Sequence, residues 1–67
     1  MGLKNLIKEK RTEMGLTQDD LSELLEVSRQ TIISLEKGRY NPSLVLAFKL
    51  AKLFKCRIED IFIPEGE

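Results

Sequence analysis

The chain contains no histidine and a single cysteine, Cys56. The first absence removes the residue most used as general base and metal ligand. Together the two leave no Cys/His set for a zinc site and no disulfide within the chain. The 67 residues hold no glycine-rich phosphate loop and no nucleophile–base pair either. An enzyme is therefore not expected, nor a metal or other cofactor. Cys56 reads as a small buried or half-buried hydrophobe, with a redox sensor as the alternative. No apolar run is long enough to span a membrane. The charged, amphipathic start from Met1 to Arg11 lacks the pattern of a signal peptide. These absences point to a cytoplasmic protein in a reducing compartment. Internal repeats, low-complexity tracts and linkers are also lacking, so residues 1–67 are expected to form one domain. A domain this small buries only about 60% of its unfolded surface. Efficient helix packing or dimerisation must supply the rest of its stability.

Net charge is absent as well, but only in the sum: 11 basic groups balance 11 acidic ones. Residues 1–27 carry a net −2, residues 28–57 a net +6 and residues 58–67 a net −4. The positive block holds Arg29, Lys37, Arg39, Lys49, Lys52, Lys55 and Arg57 against the single acid Glu36. A neutral protein with such a block can attract a phosphate backbone locally. Lys49, Lys52 and Lys55 read as ordinary solvated charge.

Apolar spacing predicts five helices. Leu3, Leu6, Ile7 and Met14 form a stripe over roughly residues 4–14, closed by Gly15. Thr17-Gln18-Asp19-Asp20 is a capping-box pattern with Asp in the place of Glu. It opens a second helix, about 17–25, with Leu21, Leu24 and Leu25 as its buried stripe. Glu26-Val27 is a very short connector before a third helix, which runs from the cap Ser28 to Gly38. Pro42 keeps Asn41 extended, and Ser43 can cap a fourth helix, about 44–54. That helix has a broad apolar face of Leu44, Ala47, Phe48, Leu50, Ala51 and Phe54. Ile58, Ile61 and Phe62 mark a short fifth helix ended by Pro64, and Glu65-Gly66-Glu67 reads as a frayed end.

The third helix carries the chemistry. At about 100° per residue, Arg29, Gln30, Ile33, Ser34 and Lys37 fall within roughly 140° of one another. Thr31, Ile32 and Leu35 fall on the opposite, buried side, with Glu36 at the border. Arginine reads guanine, glutamine reads adenine, and an aliphatic group meets the thymine methyl. The alternative is a polar face that merely meets water. Two helices joined by so short a turn, the second with a basic and amide-rich face, make a helix-turn-helix over about residues 17–37.

The order of elements and four segments together resemble a known family. The segments are Gly15-Leu16-Thr17-Gln18, Val27-Ser28-Arg29-Gln30-Thr31-Ile32, Glu36-Lys37-Gly38 and Asn41-Pro42-Ser43-Leu44. They are similar to the Cro/C1-type (Xre-like) helix-turn-helix regulators, over about residues 4–62. Within that family the chain most resembles the compact one-domain repressors of the kind that controls a bacterial cytolysin operon. The resemblance implies an all-α, five-helix, lambda-repressor-like DNA-binding domain. It implies that Arg29, Gln30, Ile33 and Ser34 contact bases, and that Thr17, Gln18, Thr31, Lys37, Arg39 and Asn41 contact phosphates. Gln18 would also brace the recognition helix. Thr31 could equally serve packing, and Lys37 and Arg39 could be solvated charge. Arg11 and Glu36 match a structural ion pair, for which Lys10 is the neighbouring alternative partner of Glu36. Many family members place glycine where Glu26 stands. A non-glycine residue in the left-handed region there costs about 1 kcal/mol, unless the turn takes another shape.

The implied partner is double-stranded DNA, bound as a homodimer on a palindrome with half-sites about 34–36 Å apart. No membrane and no small-molecule ligand are implied. The dimerisation end is expected at about residues 56–64, with Ile58, Ile61, Phe62 and Ile63 at the interface. The alternative is that these side chains close the monomer core. By the same resemblance, Gly2-Leu3-Lys4 and Ile61-Phe62-Ile63 could pair as a short two-stranded sheet. The competing function is an antitoxin-like protein-interaction module that also autoregulates through DNA.

Overall fold

Three of the five helices open on a side-chain cap, and these caps set where the turns fall. The computed structural model describes residues 3–39 and 41–64. In chain order it contains β1 (Leu3–Asn5), α1 (Ile7–Glu13), α2 (Gln18–Leu25), α3 (Arg29–Glu36), α4 (Leu44–Phe54), α5 (Ile58–Ile61) and β2 (Phe62–Pro64). At α2 the capping box is complete. The Asp20 N–H donates to Thr17 Oγ1 and the Thr17 N–H donates to Asp20 Oδ2, both at 3.0 Å. Ser28 accepts from the Thr31 N–H at 3.1 Å to open α3, and Ser43 accepts from the Leu46 N–H at 3.1 Å to open α4. Each cap satisfies a backbone donor that the first helical turn would leave unpaired. The backbone N–H of Thr17 holds the Asp20 carboxyl below the usual carboxylate range. The backbone N–H of Arg57 does the same for Asp60 at the start of α5.

Glu26, between α2 and α3, adopts φ 61° and ψ 42°, the left-handed conformation that glycine would enter without a Cβ penalty. The turn therefore keeps its shape and carries the strain. Val27 closes it by donating its N–H to the Ser22 carbonyl at 3.0 Å. Lys55, the C-cap of α4, is left-handed as well, with φ 56°.

The core is one cluster drawn from every helix. Ile7, Leu21, Leu25, Ile32, Leu35, Leu50 and Ile61 are essentially sealed from solvent, and Leu46, Ala47, Ala51 and Phe62 complete it. Cys56 is half-buried, packed against this cluster. The two ends of the described chain meet in an antiparallel ladder, with Leu3 opposite Pro64, Lys4 opposite Ile63 and Asn5 opposite Phe62. This register lies one residue further along each strand than the pairing considered from sequence, and Gly2 lies outside the described residues. Next to the ladder the Leu6 N–H donates to the Ile61 carbonyl at 2.9 Å.

Several sequence expectations are corrected here. Helix α1 begins at Ile7 rather than near residue 4, because residues 3–5 are taken by the ladder. Met14 lies past the helix and is half-exposed, not on a buried stripe. Leu24 faces solvent: α2 buries the side that holds Leu21, Leu25 and the small Ser22. On α4, Leu44 and Phe48 point outward, and the buried side is Leu46, Ala47, Leu50 and Ala51. The expected dimer surface at Ile58, Ile61, Phe62 and Ile63 is mostly consumed within the monomer. Ile61 has no exposed surface, Phe62 keeps 8% and Ile58 packs against the core. Alternation along β2 turns Phe62 inward and leaves Ile63 outward.

Candidate nucleic-acid interface

Helix α3 lies on the body of the protein through Ile32 and Leu35, both buried. Its opposite face carries Arg29 and Gln30, exposed, and Ile33 and Ser34, partly exposed. These are the four residues expected to meet bases, and the fold brings them together on one surface at the spacing i, i+1, i+4, i+5. Thr31 is partly buried, and its Oγ1 lies 2.9 Å from Ser28 Oγ at the helix start. That contact places Thr31 in the cap of α3.

The C-terminal end of α3 is fixed by a buried polar network. Arg11 Nε donates to Glu36 Oε2 at 2.7 Å, and Arg11 Nη2 reaches Glu36 Oε1 at 3.4 Å. The two side chains retain 12% and 7% of their surface. Arg11 Nη1 also donates to the Leu16 carbonyl at 2.8 Å, which ties the α1–α2 turn to the same point. Gln18 Nε2 donates to Glu36 Oε1 at 3.1 Å. One carboxylate thus gathers α1, the start of α2 and the end of α3. Glu36 is neutralised by Arg11, so it subtracts nothing from the positive character of the outer face. Among the described residues no buried side-chain nitrogen or oxygen lacks a partner.

A further brace was not read from the sequence. Asn5 Nδ2 donates to the Leu35 carbonyl at 2.7 Å, capping the last turn of α3 from β1. Asn5 Oδ1 accepts from the Ile7 N–H at 3.2 Å, so one side chain also starts α1. The signal was present only as an asparagine just before an apolar stripe, a pattern that suggests a cap and says nothing of a partner 30 residues away.

The remaining candidates ring this face. Thr17 and Asp19 are exposed at the start of α2, and Gln18 is partly buried beside them. Lys37, Arg39 and Asn41 are exposed in and around the loop that follows α3. Asp19 Oδ1 lies 3.7 Å from Arg29 Nε, a pair in which both side chains remain mostly in solvent. Arg11, Thr12, Gly15 to Asp19 and Arg29 line an open cleft of about 420 Å³ between the α1–α2 turn and α3. No group of acidic or cysteine side chains among the described residues could hold a metal ion. No helix among them is long and apolar enough to cross a membrane.

Comparison with known proteins gives concordant findings. The family model described as Helix-turn-helix matches residues 7–61. An uncharacterized HTH-type transcriptional regulator of Methanocaldococcus jannaschii is 58% identical over 65 residues, covering 97% of this chain and 98% of that protein. Another such regulator, YgzD of Bacillus subtilis, is 46% identical over 65 residues, covering 97% and 98%. Among solved structures, the restriction-modification controller protein C.AhdI from Aeromonas hydrophila superimposes with a TM-score of 0.72 at 33% identity. That match covers 81% of this chain and 82% of the other.

Proposed function

The chain belongs to the Cro/C1-type helix-turn-helix family of DNA-binding transcriptional regulators, and from that premise we propose that it is a repressor acting as a homodimer on a palindromic operator. In this reading α3 enters the major groove, and the protein blocks a promoter by occupying it. It works in the cytoplasm, as a single domain, and has no catalytic step of its own. The observation that carries the reading is the outward arc of Arg29, Gln30, Ile33 and Ser34 on a helix whose other side is locked into the core. A rigid reader matters because base contacts tolerate little positional error, and α3 is held at its far end by Asn5, Arg11 and Gln18.

Arg29 and Gln30 supply hydrogen bonds to purine edges, and Ile33 supplies an apolar contact to a thymine methyl. Ser34 is the adaptable hydroxyl of the set. Thr17, Lys37, Arg39 and Asn41 lie along the phosphates on either side. Thr31 and Gln18 contribute from the helix starts, Gln18 through whatever donor capacity remains beside its bond to Glu36. Phosphate contacts fix register and base contacts choose sequence.

The test compares Arg29→Ala with Arg39→Ala in equilibrium binding across salt concentrations. Arg29→Ala should cost about 1–3 kcal/mol and relax the choice at one base pair of each half-site. Arg39→Ala should weaken all sequences alike and lower the salt slope by about one. Unchanged affinity and sequence preference in Arg29→Ala would remove α3 from the reader's role.

A further inference from the structure

Helix α4 presents an apolar face that the monomer leaves bare. Leu44 is 68% exposed, Val45 65% and Phe48 58%. The three side chains sit within one turn of one another at the helix start, spanning roughly 100° of arc. Together they leave on the order of 300 Å² of apolar side chain in water, the size at which a monomer's largest patch usually has a use. Toward the C-terminal end the same stripe continues as Lys52 and Lys55, both exposed. Glu26, 3.5 Å from Lys49, flanks one edge of it.

We propose that the Leu44–Val45–Phe48 face of α4 is the surface on which a second copy of this chain docks. The proposal rests on the homodimer reading above and gives it a location, in place of the C-terminal residues that the core has consumed. The stripe is self-complementary. When two α4 helices cross antiparallel about a two-fold axis near Phe48, the Leu44 of each copy meets the aliphatic stem of the other's Lys52. Those stems can cover apolar surface while the ammonium groups stay in water. The Lys52 residues of the two copies stand about 12 Å apart along the crossing, four residues to either side of the axis. No like charges are forced together.

The position also suits a two-half-site operator. Helix α4 begins directly after the loop that carries Lys37, Arg39 and Asn41. A two-fold axis near Phe48, about one turn past the helix start, brings the two phosphate-facing loops toward the centre of the site, with one α3 on either side. Half-sites one turn apart require each recognition helix to stand about 17 Å from the axis. One chain measures 33 × 23 × 21 Å, which accommodates that distance. A standard interface covers about 800 Å² per partner. The apolar patch supplies its centre, and the lysine stems and the α3–α4 loop supply its rim.

The experiment is sedimentation equilibrium of the wild type, Phe48→Glu and Ile63→Ser, with circular dichroism to confirm folding. Cooperative binding to duplexes with one and two copies of the half-site, taken from a library selection with the wild type, accompanies it. Phe48 is largely exposed, so the charge enters without disturbing the core. The expected result is a folded Phe48→Glu that dimerises roughly 100-fold more weakly or worse, because two like charges would face each other at the axis. It should also bind a single half-site as the wild type does while losing cooperativity on two. Ile63→Ser should remain a dimer. A wild-type dimer accompanied by a Phe48→Glu dimer of equal strength overturns this surface and leaves the homodimer reading intact. A wild type that is monomeric in solution and binds paired half-sites without cooperativity overturns the homodimer reading itself.

Discussion

Replacing Glu36 by alanine removes the one acceptor that joins three helices. In the native structure Glu36 accepts from Arg11 Nε at 2.7 Å, from Arg11 Nη2 at 3.4 Å and from Gln18 Nε2 at 3.1 Å. The variant keeps the Arg11 guanidinium nearly buried, with 12% of its side chain exposed and only the Leu16 carbonyl as partner. Removing one member of a buried pair typically costs about 3–5 kcal/mol, most of it the penalty on the charge left behind. A domain of this length has a total stability of roughly 3–10 kcal/mol, so the loss is a large fraction of the whole. The assay is urea unfolding at a fixed protein concentration, which also fixes any contribution from association. The paired variant Arg11→Met/Glu36→Leu removes both charges and should recover most of the loss, as replacement of both partners by apolar groups often does. Glu36→Gln, which keeps an acceptor oxygen but no charge, should fall between. A Glu36→Ala cost under about 0.5 kcal/mol would place the pair with ordinary surface ion pairs and refute the claim that this network anchors α3.

Other perturbations separate fold from function. Asp19→Asn frees Arg29 from its exposed partner at 3.7 Å and removes a negative charge from the edge proposed to face phosphates. Stability should change by less than about 0.5 kcal/mol, while fluorescence anisotropy should show tighter DNA binding; weaker binding would mean that Asp19 helps Arg29 to read. Glu26→Gly relieves about 1 kcal/mol of left-handed strain, offset in part by the greater freedom of glycine in the unfolded chain. Urea unfolding should show a change between about zero and a gain of 1 kcal/mol, and a clear loss would mean that the side chain contributes more than its exposed contact with Lys49. Asp20 has its carboxyl held below the usual carboxylate range, first by the backbone N–H of Thr17. A folded-state pKa below the unfolded one gives a contribution that is present above the unfolded value and lost as pH falls through the folded one. Asp20→Asn should therefore melt below the wild type at neutral pH, and the gap should close as pH falls through the folded-state value. A gap independent of pH would assign the effect to hydrogen-bond geometry rather than to charge.

The helix starts and the outward arc of α3 were legible because each depends on residues close in sequence. Thr17 with Asp20, and Ser28 and Ser43 as caps, mark three helix starts without reference to the rest of the molecule. The family resemblance extended this to the long-range pair Arg11–Glu36, with Lys10 as the neighbouring alternative. Arg11 takes the role, and its guanidinium also reaches the Leu16 carbonyl, a second acceptor in the fork that a lysine could serve only as a point charge. The exposed side of α4 was not legible. Its sequence, Leu44-Val45-Leu46-Ala47-Phe48-Lys49-Leu50-Ala51, is apolar nearly all round. Periodicity then cannot decide which arc the other helices cover. Leu24 was misplaced because the buried side of α2 is centred nearer to Ser22, whose burial rests on packing and not on hydrophobicity. The distant partner of Asn5 and the left-handed conformation of Lys55 answer to tertiary geometry and have no local mark.

The central claim is that α3 reads base pairs from its Arg29–Gln30–Ile33–Ser34 face, and its most direct test is selection from a random duplex library at physiological salt. The wild type and Arg29→Ala would be run side by side. The account predicts that the wild type recovers a palindrome with half-site centres about one helical turn apart. It predicts that Arg29→Ala loses preference at a single symmetric pair of positions and keeps it elsewhere. No enriched sequence from the wild type, or an identical motif from both proteins, would contradict it. The first of these would turn attention to a protein partner in place of an operator.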